Sequence, residues 1–148
     1  MAEEVVVKEQ LTQDMIRAGH ELTHRLRQDR DFGLVCSLWL YTTESNRWKL
    51  VVATPVVDSS GPIHAYQLIQ GIISDEWQER WDIHLYNISV LRSNHSLVTA
   101  LRSLLGHFEI QPLPPSPRPS PTVRAAKRIS FTRIQDVFIE DALIYFIK

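Results

Sequence analysis

The sequence predicts an α+β domain built on a mixed sheet of about five strands with three helices, in the order α-β-β-α-β-α-β-β. Three observations carry this. Residues Leu34 to Thr54 alternate with period two on either side of a polar interval, Thr43 to Asn46, as a β-hairpin does. Three other stretches place apolar residues three and four apart, the spacing of one helix face. The last run, Val137 to Ile147, is apolar at consecutive positions, so it is expected inside the sheet with both faces covered.

Taken in order, Thr12 is a fitting N-cap for a helix reaching about Gln28, with an apolar stripe of Leu11, Met15, Ala18, Leu22 and Leu26. Arg17, His20, His24, Arg27 and Gln28 lie away from that stripe, and at about 100° per residue both histidines are expected to face water. Asp29 to Gly33 then turns the chain into the hairpin. In its first strand Val35, Ser37, Trp39 and Tyr41 point one way and Leu34, Cys36, Leu38 and Leu40 the other, which makes it a central strand. With Thr43 to Asn46 as the loop, Tyr41 pairs with Trp48 and Trp39 with Leu50. Three aromatics then share one face. Beside Arg47 and Lys49 they could stack nucleic-acid bases, but core beneath a helix is the commoner use of such rings.

Pro55 ends the ladder, and Asp58 to Pro62 reads as a loop that starts a second helix at Pro62, with Ile63, Tyr66, Ile69 and Ile73 on its buried stripe and Gly71 weakening its last turn. Asp58, Ser59 and Ser60 belong to no Gly-x-Ser-x-Gly and no glycine-rich phosphate loop, so they are read as capping residues. Trp77 and Trp81, four apart, suggest one buried edge. Ile83 to Leu91 is expected as a strand, joined to the hairpin by a right-handed parallel crossover. Ser93 or Asn94 can cap a third helix with Leu97, Leu101, Leu104 and Leu105 inward and Gly106 after its end. Gln111 to Thr122 holds six of the eight prolines and is expected as a flexible, polyproline-like internal loop. Its PxxP matches, Pro112 to Pro115 and Pro114 to Pro117, lack the usual flanking basic residue, so a spacer is the simpler reading. Arg128 to Arg133 and Val137 to Ile147 are the last two strands, with a turn at Ile134 to Asp136, and Val5 to Val7 could add an edge. Glu140 and Asp141 are adjacent and face opposite ways, and a carboxylate in so apolar a strand is expected to pair with a nearby arginine.

The 148 residues read as a single domain, 44% hydrophobic and with formal charge -1, so nothing global points to nucleic acid or membrane. Cys36 is the one cysteine, which excludes an intramolecular disulfide and suits a reducing compartment. The start, MAEEVVVKEQ, lacks the basic and long apolar regions of a signal peptide, and no stretch reaches the length of a membrane span. These features lead to the expectation of a non-enzymatic, cytoplasmic binding or assembly domain with no cofactor, engaging a protein partner or a second copy of itself.

Two patterns point to other functions. His20-Glu21-Leu22-Thr23-His24 is an HExxH and resembles the zincin metallopeptidase signature, in which two histidines one helical turn apart ligate zinc and the glutamate is the general base. On that resemblance His20 and His24 would be metal ligands and Glu21 catalytic in a zinc-dependent hydrolase. Arg17 and Arg25 flank the motif, no sheet precedes it, and a third ligand is suggested only by position, at Glu44, Asp75, Glu76 or Glu79. His84, His95 and His107 show no ligand-like spacing. The second pattern is a basic stretch without acids, Arg118, Arg124, Lys127, Arg128 and Arg133, which could bind nucleic-acid phosphates. The plainer reading is a solvated edge whose charges keep the strand from pairing with another chain.

Overall fold

The hairpin forms in the register its sequence predicts: Cys36–Thr42 (β1) pairs antiparallel with Arg47–Ala53 (β2), setting Tyr41 opposite Trp48 and Trp39 opposite Leu50. The computed structural model describes residues 9–73, 83–109 and 126–148, and all that follows concerns these. The expectations for Val5 to Val7, for Trp77 and Trp81, and for the proline-rich stretch fall outside them.

The remaining elements enlarge the sheet and cover it. Gln13–Gln28 (α1) precedes the hairpin, and Thr12 caps it by accepting from the Met15 amide. After β2 come Pro55–Ser60 (α2), Pro62–Ile72 (α3), a single 3-10 turn at Leu85–Asn87 and the strand Ile88–Leu91 (β3), which lies parallel to β2. Ser96–Leu105 (α4) leads to the two-residue strand Phe108–Glu109 (β4), and Lys127–Ile134 (β5) turns back into Val137–Ile147 (β6). The sheet has six strands in the order β3-β2-β1-β6-β4. β5 also pairs with β6, on the edge opposite β1, since Asp141 to Ile144 pair with both. It is an α+β fold with a mixed sheet.

β1 and β6 are apolar on both faces because both faces are covered. On one side α1 brings Ala18, Leu22 and Leu26, and α3 brings Ala65 and Ile69, against Trp39, Trp48, Leu50 and Tyr145. On the other, Leu97, Val98 and Leu101 of α4 pack on Cys36, Leu38, Val51 and Ile144. β6 carries a bulge: Ser37 faces Phe146 but Leu38 faces Ile144, so Tyr145 is the extra residue and joins Phe146 in the first core.

Several local expectations need correction. The supposed loop after Pro55 begins as helix α2, with Pro55 in its first turn and the Thr54 hydroxyl accepting from Val56 while donating to the Phe32 carbonyl. Gly61, at φ 85°, then redirects the chain into α3. Ile63 is 73% exposed, because α3 turns Ala65, Ile69 and Ile73 inward. Leu104 is about half exposed, and Val98 is buried in its stead. Neither Ser93 nor Asn94 caps α4; the His95 ring does, its Nδ1 accepting from the Leu97 amide. Gly106 ends that helix at φ 64°.

Candidate functional site

The HExxH segment lies in the middle of α1, and the structure moves one of its histidines. His20 is buried, contrary to the expectation that it faces water, with its ring edge-on to Tyr145 at 6.2 Å between centroids. The reason is that the buried arc of α1 is wider than its apolar stripe and runs through Gly19 and Thr23 to His20. The Trp39 indole donates to the Met15 carbonyl at 3.1 Å and the Tyr145 hydroxyl to the Ile16 carbonyl at 2.6 Å. Thr23 shares a buried 2.7 Å hydrogen bond with Ser37 of β1. Small and polar residues thus bring this side of the helix down onto the sheet.

His24 stays on the solvent side, 3.2 Å from Gln28, and Glu21 accepts from Arg25 at 3.2 Å. The two imidazoles therefore sit in different surroundings, one against the core and one in water. Glu21 is engaged by a cation one helical turn away. Among the described residues no three His, Cys, Asp or Glu side chains gather as a group that could hold a metal ion. Of the third ligands suggested by position, Glu44 lies in the β1–β2 turn, and Asp75, Glu76 and Glu79 are outside the described residues. Cys36 is buried in β1, and burial pushes its thiol up to about 12.

The two ends of the sheet are finished differently. At β3 the Tyr66 hydroxyl donates to the Ile88 carbonyl at 3.1 Å and accepts from the Val90 amide at 3.4 Å, so a side chain of α3 occupies outward-facing backbone groups of that strand. At the other end β5 pairs with β6 alone among the described residues. Its own Thr132 hydroxyl reaches the Ser130 carbonyl at 2.9 Å.

The side chains of this open edge are cationic and aromatic. Arg128 makes a two-pronged contact with Asp141, 2.6 Å on each arm, and Ser130 donates to the same carboxylate. Asp141 is only 4% exposed, so the expected pairing of a strand carboxylate with an arginine holds here. This contact raises the Arg128 pKa above its ordinary value, chiefly through the hydrogen bond. The guanidinium also lies 5.3 Å from the Trp48 ring, which is itself buried beside Trp39 and Tyr41 in the first core. The aromatic cluster of the hairpin is thus core and presents no stacking platform. Glu140, facing away from Asp141, accepts from the Thr43 amide and hydroxyl and ties β6 to the hairpin turn.

Further along the edge Phe131 is 78% exposed and adopts φ 47°, a left-handed conformation that costs a residue with a Cβ about 1–2 kcal/mol. Phe138 is 50% exposed, and Arg133, its partner across the strands, lies 5.9 Å above its ring. Of the basic stretch, Lys127, Arg128 and Arg133 therefore share β5, with Arg128 engaged by Asp141, while Arg118 and Arg124 are outside the described residues. Composition drew attention to the cations. Phe131 and Phe138 were missed, because alternation alone does not say which strand ends the sheet.

No family model, curated protein or solved structure matches the chain. No helix among the described residues is long and apolar enough to cross a membrane.

Proposed function

We propose that the chain is a non-enzymatic binding or assembly domain of the cytosol, and that it meets a protein partner along the β5 side of its sheet. The observation that carries this reading is the contrast between the sheet's ends: β3 is closed by Tyr66, whereas β5, eight residues long, is unpaired on its outer side among the described residues. Two phenylalanines stand exposed on the β5–β6 hairpin, and full burial of one such side chain contributes about 1.5–3 kcal/mol. Aromatic and arginine side chains are the residue types that most often anchor interfaces. The engagement of Glu21 by Arg25 and the burial of Cys36 favour this reading over a catalytic one.

The test is site-specific photocrosslinking in the protein's own cells, with benzoylphenylalanine placed at Phe131 and, as control, at exposed Ser103 on α4. A discrete adduct from position 131 that is missing from position 103 is the expected result. No adduct at 131, or the same adducts at both positions, overturns the proposal.

A further inference from the structure

Resting on that reading of β5, we infer that the occupant of the edge is an acidic segment of another protein, bound in extended conformation as an added antiparallel or parallel strand. An unpaired strand edge offers backbone donors and acceptors to an extended chain, and the flanking side chains select which chain is accepted. The sequence of β5, KRISFTRI, contains Lys127, Arg128 and Arg133 and no acidic residue. Arg128 is held by Asp141, which leaves Lys127, exposed, and Arg133, over the Phe138 ring, as the β5 cations engaged by no carboxylate among the described residues.

The same charges argue against a second copy of this chain. Antiparallel pairing of two β5 strands about Ser130 sets Lys127 opposite the other copy's Arg133, and pairing about Ser130 and Phe131 sets Arg128 there instead. Like charges directly opposite each other destabilise a strand pair. An acidic strand meets the reverse situation in either register. Basic residues and a backbone irregularity on an edge strand also discourage indiscriminate pairing: the left-handed conformation at Phe131 sets an exposed ring in the middle of β5, while its register with β6 continues unchanged to Ile134.

The probe is a fluorescein-labelled eight-residue peptide of alternating glutamate and valine, titrated by fluorescence anisotropy against the full chain. Saturable binding that weakens with added salt is expected, together with at least a tenfold loss in the Lys127→Glu/Arg133→Glu variant, whose thermal melt serves as the folding control. Two further peptides carry N-methyl groups on one or the other set of alternate amides, and one of them should lose at least tenfold because its methyls face β5. No saturable binding at low salt, undiminished binding of both N-methylated peptides, or preference for an oligothymidine over the acidic peptide overturns the inference. If the peptide fails while the adduct at position 131 persists, the acidic extended occupant is wrong and the binding domain stands; loss of both removes both readings.

Discussion

Gly19 sets the distance between α1 and the sheet. A Cβ built there would come within 2.5 Å of the Trp39 indole nitrogen and 2.7 Å of the Tyr145 hydroxyl, and both of those atoms are anchored by hydrogen bonds to carbonyls of α1 itself. In an exposed helix interior, glycine to alanine gains about 1 kcal/mol. Here overpacking costs about 1–3 kcal/mol, and moving either ring away strains a hydrogen bond worth about 1 kcal/mol. Gly19→Ala is therefore expected to lower the thermal midpoint by a few degrees, at about 2–4 °C per kcal/mol for a chain of this size. An unchanged or raised midpoint in a calorimetric melt would show that the rings have room to move. The same close approach explains why His20 is buried, and why the sequence pattern misplaced it. Hydropathy spacing counts the leucines of α1, whereas the contact is made by a glycine and by a threonine whose hydroxyl meets Ser37, and neither residue carries an apolar signal.

The elements that sequence periodicity described well are those whose order is local: the hairpin, whose turn and alternation fix its register, and α1, whose cap and stripe are both present in the chain. α2 was hidden because it has no buried residue and is defined by its ends, Thr54 and Pro55 at the start and Gly61 at the stop. The strand expected from Ile83 is ladder only from Ile88, the residues before it forming a 3-10 turn instead. Pairings across the sequence, such as Arg128 with Asp141, follow once the β5–β6 register is known, and no spacing announces which cation a given carboxylate will meet. A similar long-range tie joins α2 to the turn before α4, where Asp58 accepts from both the amide and the hydroxyl of Ser93 at 2.9 and 2.7 Å. Those hydrogen bonds, the backbone one first, hold the Asp58 carboxyl below its ordinary range. A group lowered on folding stabilises the native state above its unfolded value, about 3.9, and loses that contribution as pH falls through the folded value. In urea melts the midpoint difference between the native chain and Asp58→Ala should be constant from about pH 5 to 8 and close as pH drops below about 4. A difference that persists unchanged to about pH 2 would mean that the carboxylate's charge is not what holds this tie.

At the scale of the molecule the sheet is a wall shared by two cores, and this was legible in outline from β1 and β6, whose uninterrupted apolar character requires cover on both faces. What could not be read was the assignment of helices to faces, because each helix has one apolar stripe and nothing in it names a side. Nor could the sequence say that β5 pairs with β6 alone among the described residues, the observation on which the proposed binding surface depends. The sharing of one wall has a mechanical consequence. Leu38 and Ile139 belong to the core under α4, while Trp39 and Trp48 belong to the opposite core, and Leu38 and Trp39 are consecutive residues of one strand. Leu38 and Ile139 are 0% and 1% exposed, so an aspartate at either position would be a buried charge with no place prepared for it. Such a group costs several kcal/mol against a total stability of about 5–15 kcal/mol. Leu38→Asp and Ile139→Asp are each expected to abolish folding as a whole: far-ultraviolet circular dichroism and the emission of buried tryptophan should be lost together, though the substitution touches neither indole. A variant that keeps buried tryptophan emission and a cooperative melt while losing only helix signal would show that the two cores fold independently, and that the sheet does not couple its faces.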